Sequence, residues 1–305
     1  MPAVQIITYI SLIVSFVAML YKVYRYATAP QSMRWELYPV PHEKGRSAYG
    51  GSYLEELDWW TKPRHTDTFN ELKEMGSEII FLKGVFHNKK TLWYFTFPFH
   101  FGLYVTIGWL FLLLLGAILQ LVGVEVSSQA GGIGAIIHII TIPAGYIGLL
   151  LAGLGALGLL FWRLGDKEQR RFNAPIDYFN LVFFVVVVSV TLVSQLGSDP
   201  SFQYTRSYVT SLVSFSHATI PSALFATELV LISLIILYIP LTRMSHFVAK
   251  YFLYHAVRWN DEPNPKGSKI EKRIMELLGR PVGWSAGHIQ TGKSWGEVVK
   301  EPKND

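Results

Sequence analysis

Five long apolar runs, almost free of charge, constrain the fold of this 305-residue chain more than any other feature. A membrane-spanning helix needs about 20 apolar residues, each rising 1.5 Å. Each run is long enough to cross a bilayer once, and only the last contains a charge, at Glu228. The runs lie at 1–21, 91–124, 126–162, 178–198 and 207–242.

The predicted fold is an all-α membrane protein in which five transmembrane helices form a bundle. Only 16% of the residues are charged, against about 25% in typical soluble domains, and they are concentrated between the apolar runs. This pattern excludes a soluble globular enzyme, a disordered tail and a nucleic-acid-binding domain. A glycine turn at 131–134 places the excess length of the third run in a loop. The helices are expected near 4–26, 92–122, 133–162, 177–197 and 214–249.

The first run is expected to be an uncleaved transmembrane helix and not a signal peptide. No basic residue precedes it, and it has no clear small-residue cleavage site. Basic residues follow it instead, at Lys22 and Arg25. The chain is therefore expected to begin with a membrane helix whose N-terminus lies outside the cell membrane.

Basic residues in the loops predict the orientation of the bundle, because cytoplasmic loops carry an excess of Lys and Arg. They are concentrated in loop 27–91, in segment 163–171 and in the tail 251–305, whereas the other two loops contain only Arg206. We therefore predict an outside N-terminus and a cytoplasmic C-terminus in the inner cell membrane. The predicted domains are a transmembrane domain, 1–250, and a cytoplasmic tail, 251–305. Loop 27–91 and the tail are expected to dock a partner subunit.

The chain contains no cysteine, which limits its redox chemistry. Disulfides, thiolate-ligated iron–sulfur clusters, zinc thiolate sites and covalent haem attachment through CxxCH are all excluded. Any redox centre must be held by histidine or belong to a partner chain.

Four of the nine histidines lie within the predicted spans, where ionisable residues are rare and usually functional. His100 and His246 fall toward the cytoplasmic side, and His138 and His217 toward the outer side. Pairs of histidines on facing helices suit a non-covalent b-type haem, whose iron takes one imidazole from each side. Zinc fits less well, because two histidines fall short of its usual three or four ligands. The alternative is that each histidine is hydrogen-bonded across helices.

Whether the outer pair serves iron depends on the geometry of the fifth helix. As one ideal helix, the 29 residues from His217 to His246 would rise about 43 Å, more than the roughly 30 Å hydrocarbon core. Unless tilt and kinks at Pro221 and Pro240 absorb the difference, His217 lies at the outer interface.

Two charged residues in the fifth run each have a functional and a structural interpretation. Glu228 could accept protons during quinol oxidation, or it could be a protonated, hydrogen-bonded structural residue. Arg243 could pair with a haem propionate, or it could be an ordinary basic anchor at the cytoplasmic interface.

Three segments resemble a known family of membrane cytochromes. Segment 240–252 (PLTRMSHFVAKYF) resembles the haem-ligand segment of the gamma subunit of respiratory nitrate reductase. Loop 33–43 (MRWELYPVPHE) and tail 284–295 (WSAGHIQTGKSW) are similar to one branch of that family. This branch includes the membrane cytochromes of heterodisulfide reductases and of related complexes in sulfate reducers. The resemblance covers essentially the whole chain.

The resemblance implies a diheme b-type cytochrome that exchanges electrons with a membrane quinone and with a cytoplasmic iron–sulfur subunit. The family's inner-haem ligands correspond to His100 and His246. The family's outer-haem positions are occupied here by Leu110 and Glu228, so the usual outer site is missing. Either the outer haem is lost, or its ligands have moved to His138 and His217.

The working hypothesis is a cytochrome b subunit of a respiratory complex. It would carry one or two b haems and transfer electrons between menaquinone, or another quinone, and a heterodisulfide-reductase-like iron–sulfur subunit. Further membrane subunits or an extracytoplasmic multihaem cytochrome are also compatible. Glu228, His138 and His217 would form the quinone or proton site, and the chain itself would hold no terminal-substrate site. Two alternatives are a haem-free membrane anchor and a proton or ion pathway.

Overall fold

A computed structural model describes residues 2–30, 45–46, 49, 52–63, 67–260, 262–287 and 289–300. These residues are predominantly helical and contain no β-strand. The whole of the loop motif at 33–43, and His288 of the tail motif, lie outside them. The α-helices are α1 (Ala3–Ala27), α2 (Thr68–Ile80), α3 (Lys83–Asn88), α4 (Lys90–Leu121), α5 (Gly132–Gly165), α6 (Lys167–Phe172), α7 (Pro175–Ser198), α8 (Gln203–Val213), α9 (Ala223–Leu241), α10 (His246–Leu253), α11 (Lys269–Leu278) and α12 (Trp295–Lys300).

Five of these helices, α1, α4, α5, α7 and α9, are long and apolar enough to cross a membrane. The all-α fold and the number of spans predicted from the sequence are therefore confirmed. The first four of these spanning helices, α1, α4, α5 and α7, begin and end within three residues of their predicted bounds. The chain has the architecture of a multi-pass membrane protein.

The predicted extent of the fifth helix, 214–249, is wrong. Pro221 precedes α9, and the Ser222 hydroxyl caps it by accepting a hydrogen bond from the Phe225 amide at 3.1 Å. Near its other end α9 contains Pro240, and Thr242 then adopts an extended conformation. A short 3₁₀ turn and α10 follow as separate elements. Because the helix is interrupted, the 43 Å rise of one ideal helix does not apply.

The described chain divides into two compact units, which are best considered separately. The first unit comprises Met1–Val17 and Met75–Thr242, and the second comprises Ala18–Glu74 and Arg243–Asp305. The first unit thus contains α4, α5, α7, α8 and α9 with the start of α1. Its boundary at Thr242 comes before the boundary at 250 that was placed from the sequence.

In the first unit, α1 buries polar side chains and exposes apolar ones. Gln5 and Ser11 are 0% and 2% exposed, whereas Ile13 and Phe16 are 62% and 65% exposed. Gln5 Nε2 donates to Ser211 Oγ at 3.0 Å. This arrangement, polar inside and apolar outside, suits a helix surrounded by hydrocarbon, where polar groups must find partners within the protein.

Glycines allow α4 and α5 to pack at very short range. A Cβ added to Gly102 would lie 2.3 Å from the Ala152 backbone nitrogen, and one added to Gly155 would lie 2.4 Å from the Phe99 nitrogen. Small residues at such positions let two backbones approach closely, which is a main source of helix association in membranes.

Hydrogen bonds gather several loops at one end of the first unit, which we call the N-terminal end. Gln5 Nε2 donates to the Ser216 carbonyl oxygen at 2.9 Å, and Arg206 Nη1 donates to the Val126 carbonyl oxygen at 3.0 Å. The start of α1, the α4–α5 loop and the segment 199–222 therefore lie together. From the sequence, 199–213 was expected to be a loop and 214–222 the start of the fifth helix. The structure instead has α8 at Gln203–Val213 and begins α9 at Ala223.

In the second unit, polar contacts connect α11 to the residues after α1 and join side chains within segment 46–62. Arg273 on α11 donates to the Ala29 carbonyl oxygen at 2.5 Å. Lys62 and Arg46 both donate to the Glu56 carboxylate, and these hydrogen bonds hold the pKa of Glu56 below its usual value.

The glycine contacts generate a prediction about stability. Gly102→Ala should lower the free energy of unfolding by about 1–3 kcal/mol, because the added methyl group overpacks α4 against α5. Gly108→Ala on the same helix is the matched control, since a Cβ there meets nothing within 4 Å. Thermal unfolding in detergent, followed by circular dichroism, measures both. Equal stability of the two variants would contradict this packing.

Candidate functional site

His100 lies on α4 with a half-buried imidazole. Its Nδ1 is 2.8 Å from the Thr96 carbonyl oxygen, one turn earlier. Because a carbonyl can only accept, Nδ1 carries the proton, and the lone pair of the neutral ring lies on Nε2. Histidines that ligate metals are commonly oriented by such a bond from their other ring nitrogen. His100 therefore fits one axial position of a b-type haem.

His246 begins α10 in the second unit, and its side chain is exposed. Arg243 is exposed in the 3₁₀ turn that precedes this helix. His100 belongs to the first unit. The pairing of His100 with His246, and the contact of Arg243 with a haem propionate, stay predictions.

The two outer histidines have different environments. His138 lies on α5, is 9% exposed, and its Nδ1 has no hydrogen-bond partner within the described chain. His217 is exposed in the non-helical stretch between α8 and α9. Only His138 has the burial expected of a residue inside the bundle. The pairing of the two as ligands of an outer haem stays a prediction.

Glu228 is completely buried on α9 and is bound by a glutamine from α7. Gln195 Nε2 donates to Glu228 Oε1 at 2.6 Å and also to Thr205 Oγ1 on α8 at 2.9 Å. One amide group therefore connects three helices. Glu228 Oε2 has no hydrogen-bond partner among the described residues.

Asp199 follows α7 and caps the first turn of α8. Its Oδ1 accepts a hydrogen bond from the Gln203 amide at 2.6 Å. Its Oδ2 accepts from the Thr205 amide at 2.9 Å and from the Thr205 hydroxyl at 3.3 Å. A carboxylate at this place satisfies amides that a helix start leaves unpaired, and it also favours the helix dipole.

Arg206 is a fully buried guanidinium on α8. Its stem lies against α4 at Gly116, where an added Cβ would be 3.0 Å from Arg206 Cδ. Only Nη1 is bonded, to the Val126 carbonyl oxygen, while Nε and Nη2 have no hydrogen-bond partner in the described structure. The charge of Arg206 acts on Asp199 and His138 through space.

These residues form one group, which we call the buried polar cluster. Each member is at most 4% exposed. Ten buried side-chain atoms in the described chain lack a hydrogen-bond partner, and six of them belong to the cluster. Buried polar atoms without a protein partner usually mark ordered water or a bound group. The members are Thr191, Ser194, Gln195, Asp199, Thr205, Arg206 and Glu228.

Of this cluster, the sequence identified only Glu228 as a site residue. Asp199 and Arg206 served only to mark the ends of apolar runs, so their burial was missed. The sequence nevertheless contained an indication of this cluster: Thr191, Ser194 and Gln195 lie three or four residues apart and share one helix face. A polar stripe on a membrane helix points to the bundle interior.

No family model, no curated protein and no solved structure matches this chain. The functional assignment therefore depends on the residues and contacts described above. The resemblance to the gamma subunit family of nitrate reductase, with the ligand residues that it implies, stays a prediction.

The capping role of Asp199 generates a second prediction. Asp199→Ala should lower the free energy of unfolding by about 1–2 kcal/mol, because it leaves the first amides of α8 unpaired. Ser198→Ala is the matched control, since the Ser198 side chain is exposed and bonds only the Ser194 carbonyl, at 2.7 Å. Denaturation in detergent compares the two variants. If Asp199→Ala and the control unfold at the same denaturant concentration, the cap contributes nothing to stability.

Proposed function

We propose that this protein is a b-type cytochrome subunit of a membrane respiratory complex. It transfers electrons between the quinone pool and a cytoplasmic iron–sulfur subunit. The observation that carries the proposal is the geometry of His100, a half-buried histidine in a membrane span. Its Nδ1 donates to the Thr96 carbonyl oxygen at 2.8 Å, the kind of bond that commonly orients the other ring nitrogen of a metal-ligating histidine.

In this proposal, His100 and His246 hold one b haem between them. The haem, when bound, supplies reversible one-electron transfer. The hydrogen bond from His100 to Thr96 orients the imidazole and raises its basicity as a ligand. Arg243, one turn before His246 in sequence, neutralises a propionate. His138 and His217 are the ligands available for a second haem.

The quinone site is assigned to the buried polar cluster together with His138. Oxidation of a quinol, menaquinol or another, releases two electrons and two protons. The oxygen atoms of the quinone need hydrogen-bond partners, and unpaired atoms of Arg206, His138 and Glu228 are suited to that role. Glu228 takes up a quinol proton on Oε2 after its own proton has left that oxygen, while Gln195 holds the other carboxyl oxygen in place.

The loop charges support an orientation in which this quinone site lies toward the outside of the inner membrane. Loop 27–91, segment 163–171 and the tail carry nearly all the loop lysines and arginines, which places them in the cytoplasm. The N-terminal end of the first unit is then external. The iron–sulfur subunit docks on loop 27–91 and the tail, the side on which His246 lies.

Haem binding tests the ligand assignment. His100→Ala and His246→Ala should each abolish the b-haem absorbance assigned to the inner site, because each removes one of two axial imidazoles. His87→Ala is the matched control, an exposed histidine on α3 that lies outside the spans. Reduced-minus-oxidised spectra of the purified variants measure haem per protein. Full haem content in both variants would contradict the assignment.

Quinol oxidation tests the role of Glu228. Glu228→Gln should slow haem reduction by a quinol about 10²-fold, the usual loss when a proton acceptor is removed. Haem content should be unchanged, because Glu228 is not a ligand. Thr227→Val, on the exposed side of α9, should react like the wild-type protein. Stopped-flow reduction in vesicles gives the rates, and an unaltered rate for Glu228→Gln would exclude this carboxyl as the acceptor.

A further inference from the structure

Four buried oxygen atoms without hydrogen-bond partners belong to Glu228 and to the face of α7 that carries Gln195, the residue bonded to Glu228. They are Glu228 Oε2, Gln195 Oε1, Ser194 Oγ and Thr191 Oγ1, and none has a hydrogen-bond partner in the described structure. All four side chains are at most 1% exposed. The Ser194 hydroxyl lies close enough to the Glu228 carboxyl to act on it as a hydrogen-bond donor, but the two groups do not form a hydrogen bond of normal geometry. A buried water needs two to four polar partners, which these oxygens can supply.

The bonded side of Glu228 cannot conduct a proton. Gln195 Nε2 uses its two hydrogens on Glu228 Oε1 and Thr205 Oγ1, and Thr205 donates in turn to Asp199. An amide nitrogen in this arrangement only donates, and it has no lone pair with which to receive a proton. The branch from Gln195 to Asp199 is therefore a clamp that fixes the carboxyl. A proton must reach Glu228 through Oε2.

The charges around Glu228 favour a proton on this carboxyl. The titratable side chains that act on it are Asp199 and Tyr146, and neither is a cation. Arg206 acts on Asp199 and His138 instead. No cation lies within ion-pair distance of Glu228 among the described residues. A buried carboxylate without a counter-charge is costly, so the neutral acid is favoured.

We propose that Thr191, Ser194, Gln195 and Glu228 form an internal water site through which Glu228 exchanges its proton. The O–H bond on Oε2 breaks, its proton passes to the ordered water, and a proton from the water or from a quinol restores the acid. Only the assignment of a quinol as the proton source rests on the proposed function.

Infrared spectroscopy of the full-length protein in vesicles tests this site without requiring turnover. The wild-type protein should show a carboxylic C=O band that Glu228→Gln removes. After transfer to D₂O, Ser194→Ala should slow the shift of this band about tenfold, the effect of one lost hydrogen bond. Thr191→Val, which preserves side-chain shape, should also slow the shift. Thr205→Val removes only the hydrogen bonds of the clamp, to Gln195 and Asp199. In this variant and in the control Ser198→Ala, the Glu228 proton should exchange at the wild-type rate.

Three results would overturn the water site. One is the absence of a C=O band assignable to Glu228. Another is a wild-type exchange rate in both Ser194→Ala and Thr191→Val. The third is a Thr205→Val variant that is as slow as Ser194→Ala. Haem content, measured on the same samples, distinguishes a failure of the water site from a failure of the cytochrome assignment. A haem-free protein that keeps the band and its exchange pattern would contradict the cytochrome assignment and support the water site.

Discussion

The hydrogen bond from Gln195 to the buried carboxyl of Glu228 is the interaction on which the N-terminal end of the first unit depends. In a hydrocarbon environment neither side chain can turn to bulk water, so each must be satisfied by the other or by a group inside the bundle. The same amide also bonds Thr205. This one side chain therefore holds α7, α8 and α9 together, and Asp199 completes the arrangement by capping α8.

Tightly packed helices lie next to this polar interior. Gly102 and Gly155 bring α4 and α5 into backbone contact, and Gly116 leaves room for the stem of Arg206. The bundle thus combines a closely packed pair of helices with a polar region at one end. Arg206 and Glu228 are each held by one hydrogen bond, to Val126 and from Gln195, while their other buried polar atoms have no partner in the described structure.

The spans could be predicted because twenty apolar residues without charge have few other stable structures in water or in lipid. The interruption of the fifth run could be predicted only as kinks at Pro221 and Pro240, because the exact start of α9 depends on the capping hydroxyl of Ser222. Likewise, α8 is short and polar and gave no apolar periodicity. The site was only partly predictable: Glu228 stands out as a charge in an apolar run, whereas Asp199 and Arg206 look like ordinary loop residues until the fold buries them.

The central claim is that histidines of this chain hold a b-type haem. It is tested most directly by a dithionite-reduced minus oxidised spectrum of the purified wild-type protein, with pyridine haemochrome quantitation per chain. The account predicts a b-type spectrum with at least one haem per chain, and two if the outer histidines also bind iron. A purified, folded chain without haem would contradict it and would leave the protein as a membrane anchor or an ion pathway.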